Sequence, residues 1–258
     1  MADWNPALYS RFEDERTRPA RELLARVPLE RAARVVDLGC GPGNSTELLV
    51  QRFPQAEVVG VDNSPAMLES ARQRLPGVRF ELADIGAWQP SQPQDLIYAN
   101  AALQWVPGHE QLFPRLFSLL APGGVLAVQV PDNWQEPTHR LMREVARLPA
   151  FAGAIGDPEK LRIGRLTLEA YYDFLARDAE AIDTWHTIYQ HRMDSPAAIV
   201  EWVSATGLKP FVAPLDAAQR SAYLAEYERR IAQAYAVRAD GKLLLAFPRL
   251  FIIARRKA

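Results

Sequence analysis

The sequence predicts an α/β fold in which a doubly wound, mostly parallel seven-stranded sheet carries helices on both faces and a helical cap. Three observations support this fold. Strand and helix patterns alternate from about residue 34 onward. The predicted strands are apolar along their whole length, as expected when both faces of a parallel sheet are covered. Acidic or amide residues stand at the ends of several strands, where doubly wound folds bind ligands.

The elements of the core follow one another closely. Strands are predicted at residues 34–38, 57–62, 78–83, 94–100 and 124–130, with helices at 45–53, 65–75 and 109–120 between them. Ser64 as a cap and Pro65 in the first turn mark the start of the second helix. Pro122-Gly123-Gly124 predicts a turn that leads into the fifth strand.

The last part of the chain departs from simple alternation. Aromatic and β-branched residues predict two further strands at 183–192 and 244–254. About fifty residues lie between them, which is too long for an ordinary loop, and they carry helical patterns near 196–206 and 216–235. The sequence therefore predicts a helical cap insertion over 193–242, an N-terminal helical segment over 1–30 that joins the cap, and a core made of 31–192 and 243–258.

A glycine-rich loop follows the first predicted strand. The strand ends at Asp37 and Leu38, and glycines stand at alternate positions 39, 41 and 43. Glycine permits positive φ and lets backbone N–H groups approach a ligand at the start of the next helix. Nineteen residues after Gly43 the second strand ends in Asp62, where a carboxylate holds ribose hydroxyls in nucleotide folds. The two signals together predict an adenosine-containing cofactor.

The pattern of this loop narrows the choice of cofactor. The dinucleotide fingerprint requires a glycine where Asn44 stands, and the Gly-Lys-Ser/Thr of a Walker loop is absent. The run Asp-x-Gly-x-Gly-x-Gly resembles motif I of the class I S-adenosylmethionine-dependent methyltransferases, which have a Rossmann-like fold. An acidic residue at Asp37 suits the ammonium of an amino acid and would repel a pyrophosphate. A glycine-rich turn without a ligand is the alternative, and the spacing of Asp62 disfavours it.

The resemblance implies S-adenosylmethionine as cofactor and S-adenosylhomocysteine as product. A third strand is followed by Asp84, which in the methyltransferase pattern accepts the adenine amino group, while Ile85 or Trp88 could cover the ring. The implied cofactor-binding residues are Asp37, Gly39, Cys40, Gly41, Gly43, Asn44, Asp62, Asn63, Asp84, Ile85 and Asn100. In the same fold the last strand runs antiparallel to the others.

A narrower resemblance, to the trans-aconitate 2-methyltransferase family, extends over nearly the whole chain. It is carried by residues 3–6, 18–20, 38–46, 100–105, 131–139, 202–208 and 245–251. It implies methyl transfer to a carboxylate of trans-aconitate, which gives a monomethyl ester. The stretch from about 147 to 182 fits the family pattern least well. Methyl transfer to another acceptor, such as a phenol or a carrier-protein thioester, and a nonenzymatic module that binds the cofactor remain alternatives.

The implied reaction requires no catalytic base, because a carboxylate with a pKa of roughly 4 is already ionised at pH 7. No catalytic residue is therefore predicted. The two unreactive carboxylates of the acceptor need donors, for which arginine is well suited. The candidate substrate-binding residues are Arg249, His191, Gln104, Trp105, Asn133, Trp134, Arg11 and Arg18. A solvated surface charge is the alternative for each arginine, as packing is for each tryptophan.

Composition excludes several other classes of function. The net charge of −1 and the lack of basic runs with interleaved aromatic residues disfavour a nucleic-acid partner. No uninterrupted apolar stretch is long enough to cross a bilayer, and the first residues do not read as a signal peptide. The single cysteine, Cys40, offers neither an internal disulfide nor a zinc framework. We expect a cytoplasmic protein with a small polycarboxylate as its partner and no metal.

Overall fold

The computed structural model describes residues 13–161, 166–204 and 206–258 of the 258. Two compact units make up the chain. The first comprises the described residues within Met1–Pro131, Arg165–His186 and Leu250–Ala258, and the second those within Asp132–Gly164 and Thr187–Arg249. Of the predicted site residues, Arg11 lies outside the described residues.

The predicted seven-stranded sheet is confirmed. Its strands are β1 (Arg34–Leu38), β2 (Glu57–Asp62), β3 (Arg79–Leu82), β4 (Gln94–Asn100), β5 (Leu120–Pro131), β6 (Ala179–Met193) and β7 (Leu243–Arg256). Their spatial order is β3-β2-β1-β4-β5-β7-β6. The pairs β1–β2, β1–β4, β2–β3 and β4–β5 are parallel. The carboxyl ends of these strands therefore meet at one edge, where the predicted cofactor-binding residues stand.

The helices follow the strands in the first half of the chain. They are α1 (Glu13–Ala25), α2 (Asn44–Arg52), α3 (Pro65–Arg74), α4 (His109–Ser118), α5 (Pro137–Ala146), α6 (Pro149–Ile155), α7 (Leu168–Ala176), α8 (Pro196–Ser204), α9 (Lys209–Val212) and α10 (Ala217–Ala234). Helix α3 begins as the sequence predicts, because Ser64 Oγ accepts from the N–H of Met67 at 3.3 Å and Pro65 occupies the first turn. No described helix is both long and apolar enough to cross a membrane.

The central strand β1 lies in the core of the first unit. Val35 and Val36 of β1 are fully buried and pair with residues of both β2 and β4. Helix α1 packs in this same unit, where Leu23 is fully buried and the Tyr98 hydroxyl donates to the carbonyl of Ala20 at 2.7 Å. Burial on both sides of β1 explains its continuously apolar sequence.

The predicted turn at Pro122-Gly123-Gly124 is an irregularity within a longer strand. Strand β5 begins at Leu120, and its register with β4 shifts between the pair Gln94–Leu120 and the pair Leu96–Val125. Residues 121–124 of β5 thus stand opposite Asp95 alone, so β5 has three extra residues here, as in a long bulge. The local chemistry of Pro-Gly-Gly produces a bend, but pairing continues on both sides of it.

The second unit is helical and is tied together by buried tyrosines of α10. Tyr223 donates to the carbonyl of Met142 at 2.8 Å, and Tyr227 donates to that of Thr138 at 3.0 Å. Helix α10 begins with a capping box formed by Asp216 and Gln219. Because α10 packs on α5, the unit includes residues of 132–164 as well as the predicted insertion 193–242.

These two units differ in extent from the domains that the sequence predicts. Residues of 132–164 and the strand ends 187–192 and 243–249 belong to the second unit, whereas the sequence analysis places them in the core. The described part of the N-terminal segment lies in the first unit and not with the predicted cap. A cap function for 1–30 and 193–242 stays a prediction.

Candidate functional site

The glycine loop after β1 is fixed to the end of β2 by backbone hydrogen bonds. The N–H groups of Gly39 and Cys40 both donate to the carbonyl of Val61, at 2.7 and 3.0 Å. The N–H of Gly41 donates to Asp62 Oδ2 at 2.9 Å. The glycines and Asp62 therefore lie together, as the sequence predicts, at the edge where β1 and β2 end.

Two of the glycines are needed for different reasons. Both have positive φ, +74° at Gly39 and +54° at Gly41. A Cβ atom on Gly39 would lie 2.2 Å from the Cβ of Ala102, so packing excludes a side chain there. A Cβ atom on Gly41 would have no heavy atom of the described residues within 4 Å. The space in front of Gly41 is open, as a ligand that approaches the backbone would require.

Asp37 is a buried carboxylate with only one of its oxygens satisfied. Oδ2 accepts hydrogen bonds from the hydroxyls of Ser45 and Thr46, both at 2.7 Å. Oδ1 is buried and has no hydrogen-bond partner among the residues that the structure describes. Burial raises the pKa of Asp37 from 3.8 to about 6, the Asp62 charge acts in the same direction, and the two hydroxyls oppose it. Oδ1 is suited to a cationic or N–H-donating ligand.

Three amide oxygens close to the glycine loop resemble Asp37 Oδ1 in their surroundings. Asn44 Oδ1, Asn100 Oδ1 and Gln104 Oε1 are buried and have no hydrogen-bond partner within the described ranges. The amide nitrogens of two of them are already used, since Asn44 donates to Thr17 Oγ1 at 3.4 Å and Gln104 donates to the carbonyl of Ala101 at 2.7 Å. Asn44 and Asn100 line one cavity with Gly39 and Thr17. An acceptor-rich cavity of this kind favours an ammonium group over a phosphate.

Asp62 has a second function besides the predicted ribose contact. Its Oδ1 accepts from the N–H of Ser64 at 2.9 Å, and its Oδ2 accepts from the N–H of Gly41. Asn63, the next predicted contact, is exposed. Asp62 therefore shapes the glycine loop, and its contact with ribose hydroxyls stays a prediction.

We expect Asp62→Ala to weaken cofactor binding by about 1–3 kcal/mol, because buried polar partners lose their acceptor. Isothermal calorimetry with S-adenosylhomocysteine measures this loss. Asp95→Ala is the matched control, since Asp95 also accepts two backbone N–H groups, of Ala33 and Arg34 at 2.8 and 2.9 Å, at the opposite end of β1. Unchanged affinity in Asp62→Ala, or an equal loss in both variants, would contradict the assignment of Asp62.

The residues after β3 form the next part of the site. Asp84 is exposed, and its Oδ1 accepts from the N–H of Gly86 at 2.8 Å. Ile85 is buried with its Cδ1 3.8 Å from the Cβ position of Gly39, so it lies beside the glycine loop. Trp88 is also buried, but its indole N–H donates to Glu81 at 3.2 Å. Of the two residues predicted to cover an adenine ring, Ile85 is the one next to the loop.

The loop between β4 and α4 is anchored by a histidine that the sequence analysis does not identify. His109 Nε2 lies 2.8 Å from the carbonyl of Leu103, and Nδ1 lies 2.6 Å from the hydroxyl of Tyr171. A carbonyl can only accept, so Nε2 carries the hydrogen, and in the neutral ring Nδ1 accepts from Tyr171. Ala101 in this loop has a φ of +55°. The sequence carries no motif for His109, because its partner lies 62 residues away.

The predicted substrate residues fall into separate groups. Gln104 and the exposed Trp105 follow β4 in the first unit, where Arg18 is exposed and pairs with Glu22 at 2.8 Å. The others lie in the second unit: Arg249, His191, Asn133 and Trp134.

The buried Arg249 and the His191 ring share one aromatic neighbour. The guanidinium of Arg249 lies 4.9 Å from the ring of Phe247, and the His191 ring lies 5.9 Å from the same ring and 4.6 Å from Trp202. Trp134 is covered by the guanidinium of Arg143 at 3.9 Å, which also donates to its carbonyl at 2.8 Å. Arg249 and His191 thus belong to one aromatic cluster around Phe247, apart from the Trp134 contact.

Comparison with known proteins decides the family. The model of a methyltransferase domain matches residues 35–124, from β1 into β5. A trans-aconitate 2-methyltransferase of Variovorax paradoxus (strain S110) is 69% identical over 259 residues, and one of Paracidovorax citrulli (strain AAC00-1) is 66% identical over 260, each match covering 100% of both chains. The chain belongs to the trans-aconitate 2-methyltransferase family. As a member of this family it is an S-adenosylmethionine-dependent methyltransferase.

Solved structures support the fold of this trans-aconitate 2-methyltransferase family member. The YcgJ protein of Bacillus subtilis has a TM-score of 0.59 and 13% identity, covering 93% of this chain and 99% of its own. A phosphoethanolamine N-methyltransferase of Haemonchus contortus, solved with S-adenosylhomocysteine, has a TM-score of 0.55 and 16% identity, covering 93% of this chain and 53% of its own. At these identities the likeness shows the fold alone.

The residues of the glycine loop fit the cofactor of the trans-aconitate 2-methyltransferase family. The unpartnered Oδ1 of Asp37 and the amide oxygens of Asn44 and Asn100 are acceptors for an α-ammonium group. The open space at Gly41 lets the backbone approach the ligand, while Asp62 and Asp84 stand at the ends of the next two strands. Within the described residues no group of three or more histidine, cysteine, aspartate or glutamate side chains could hold a metal ion.

Proposed function

We propose that this chain methylates one carboxylate of trans-aconitate, forming a monomethyl ester and S-adenosylhomocysteine. The observation that carries the proposal is the full-length identity of 69% with a protein named trans-aconitate 2-methyltransferase. The acceptor-rich site at Asp37 supports the cofactor part of the proposal, because it suits an amino-acid ammonium.

We assign a separate part of the cofactor to each strand end. Asp37, with Asn44 and Asn100, accepts the ammonium; Asp62 accepts the ribose hydroxyls; and Asp84 accepts the adenine amino group. When bound, S-adenosylmethionine supplies a methyl group on a positively charged sulfur. The protein holds it by fixed acceptors on strand ends, which are more rigid than a free loop.

The acceptor requires orientation and not deprotonation. Its carboxylates have pKa values of roughly 4 and are ionised at neutral pH, so no side chain needs to remove a proton. The protein contributes by holding one carboxylate oxygen in line with the methyl group of the cofactor and by excluding the water that hydrates this oxygen. We therefore assign no general base, and His109 retains a structural role.

The unreactive carboxylates are bound by cationic and N–H-donating side chains. Arg249 is the first candidate, because it is buried and its guanidinium rests on the face of Phe247, which fixes its plane. His191 shares that aromatic ring and supplies a second donor. Arg18 is the weaker candidate, since its side chain is 64% exposed and already paired with Glu22.

We expect Arg249→Ala to raise the KM for trans-aconitate by about 10–100-fold, with a smaller change in kcat if the contact is equal in the ground and transition states. Steady-state kinetics at saturating S-adenosylmethionine measures both constants. Arg192→Ala is the control, because Arg192 is on the same strand as His191 but is exposed and paired with Asp240 at 2.9 Å. An unchanged KM in Arg249→Ala would make Arg249 structural and leave Arg11 and Arg18 as the candidates.

The further partners and the location follow from charge and family. The acceptor is a small molecule, and we propose that neither a nucleic acid nor a membrane takes part, because the net charge is −1 and the patterning lacks basic clusters. We propose a cytoplasmic location, where small carboxylic acids are available to the enzyme.

The proposal is tested by mass spectrometry of products formed from S-adenosylmethionine and a panel of polycarboxylates. We expect a monomethyl ester of trans-aconitate, with cis-aconitate, citrate and isocitrate poorer. Efficient methylation of a different acceptor, with trans-aconitate unreactive, would replace the assigned acceptor. Binding of S-adenosylmethionine without turnover of any acceptor would indicate a nonenzymatic module.

A further inference from the structure

A single arginine of α4 binds the backbone of the loop that carries Asp84. Arg115 Nη1 donates to the carbonyl of Trp88 at 2.7 Å, and Nη2 donates to the carbonyls of Gly86 at 2.7 Å and Ile85 at 3.4 Å. The side chain is half-buried and forms no ion pair with any residue that the structure describes. Its charge is directed at three carbonyls of one short segment.

The peptide unit between Ile85 and Gly86 connects this arginine to Asp84. Its carbonyl accepts from Arg115, and its N–H donates to Asp84 Oδ1 at 2.8 Å. Close packing also restricts the conformation of this segment. A Cβ atom on Gly86 would lie 3.0 Å from Val106 Cγ1 and 3.2 Å from Asp84 Oδ1. The orientation of the Asp84 carboxylate thus depends on the placement of one peptide unit, which Arg115 fixes from the other side.

We propose that Arg115 is a positioning residue that sets the preference of this site for adenine. It acts through the Ile85–Gly86 peptide, which holds Asp84 so that its exposed oxygen accepts from an exocyclic amino group. This inference rests on the cofactor assignment given above for Asp84. It adds a residue on a different element, α4, that contacts neither the cofactor nor the acceptor.

Arginine is suited to this role in a way that lysine is not. The planar guanidinium donates in several fixed directions at once, whereas an ammonium on a flexible stem is a point charge. Three carbonyls of residues 85, 86 and 88 converge on one guanidinium, which defines the curvature of the segment. A lysine at position 115 could donate to some of these carbonyls but would not fix their relative directions.

The test compares two ligands that differ at the purine edge that Asp84 contacts, at the 6-substituent and at the adjacent N1. S-adenosylhomocysteine presents an amino donor there, and S-inosylhomocysteine presents a carbonyl acceptor. We expect calorimetry to show that the wild type prefers the adenosyl ligand by at least about tenfold, the effect of one unmatched polar contact. In Arg115→Met the preference is expected to fall below about threefold, and in Arg115→Lys to take an intermediate value.

Two further variants separate positioning from general loss of structure. Arg52→Met is the matched control, because Arg52 also donates to a loop carbonyl, that of Leu29 at 2.9 Å, yet lies at the far end of α2; its preference should equal that of the wild type. In an Asp84→Ala background, Arg115→Met should cause no further loss of preference, because the acceptor being positioned is absent.

Three results would overturn the inference. They are equal weakening of both ligands in Arg115→Met and Arg115→Lys, an unchanged preference in both variants, or equal affinity of the wild type for the two ligands. Circular dichroism melting confirms that each variant is folded. If Arg115→Met is not folded, the ligand preference is measured in Arg115→Lys instead. Because the assay contains no methyl acceptor, failure of the trans-aconitate assignment would appear only in the product analysis.

Discussion

Replacing Asp37 by asparagine is expected to stabilise the ligand-free protein at pH 7–8 and to weaken binding of S-adenosylmethionine by about 100-fold or more. The asparagine oxygen can accept from Ser45 and Thr46 as Asp37 Oδ2 does. The amide nitrogen then occupies the position of the unpartnered Oδ1, where it faces the ligand's ammonium as a donor. The substitution removes a buried charge from the free protein and a required charge from the complex.

The pH dependence of stability follows from the raised pKa of Asp37. The native carboxyl has a pKa of about 6 against an ordinary value of 3.8, so the native state binds this proton more tightly than the unfolded state. Stability therefore falls as pH rises from about 4 to 6, and the whole penalty, on the order of 2–3 kcal/mol, is present above that window. Asparagine does not titrate, so the variant should exceed the wild type by that amount at pH 8 and lose its advantage toward pH 4.

Cofactor binding should strengthen as the pH rises, whereas the stability of the free protein falls. An ammonium ligand requires ionised Asp37, so the wild-type affinity should be constant above about pH 7 and weaken by up to about tenfold per pH unit below 6. Urea denaturation at several pH values and calorimetry with S-adenosylhomocysteine measure both effects. A variant less stable than the wild type at pH 8, or one with wild-type affinity, would contradict the role given to Asp37.

Substituting the first two glycines of the loop should separate folding from binding. In Gly39→Ala the new Cβ would lie 2.2 Å from Ala102 Cβ at a φ of +74°, so we expect a loss of about 3 kcal/mol or more of unfolding free energy. Gly41→Val adds its side chain to open space and should remain folded, at a cost of about 1–2 kcal/mol for its positive φ, while binding is abolished.

A second-site change supplies the control for the first glycine. Gly39→Ala combined with Ala102→Gly removes the atom that the new Cβ would meet, so most of the lost stability should return. Chemical denaturation follows stability, and calorimetry follows binding. Wild-type stability in Gly39→Ala, or a folded Gly41→Val protein with normal affinity, would show that the loop packs differently from this description.

Much of the first unit could be predicted because its signals are local. Each apolar strand of the core, from β1 to β4, is bounded within a residue or two by its own sequence, and the glycines with Asp62 identify the cofactor edge. The alternation of elements then fixes which strand ends meet. Asp37, Asp62 and Asp84 could be placed for the same reason, since each lies within two residues of the end of a strand.

The rest depends on contacts between residues distant in sequence. In the second unit, tyrosines of α10 donate to carbonyls of α5, more than eighty residues earlier. No local sequence pattern predicts that pairing. Arg115 has the sequence appearance of an ordinary helical arginine, and only the fold brings it to the carbonyls of the Asp84 loop, 27 to 30 residues earlier. Functions that act through a neighbour leave no motif of their own.

The bond between His109 and Tyr171 has a consequence for how this family can diversify. Tyr171 belongs to α7, more than sixty residues after Leu103, yet its hydroxyl orients the imidazole that holds the carbonyl of Leu103. Mutations in α7 can therefore displace the segment bearing Asn100 and Gln104 while leaving that segment's own sequence intact. Epistasis follows: the same substitution at His109 should be tolerated in one lineage and damaging in another, according to the residue present at 171.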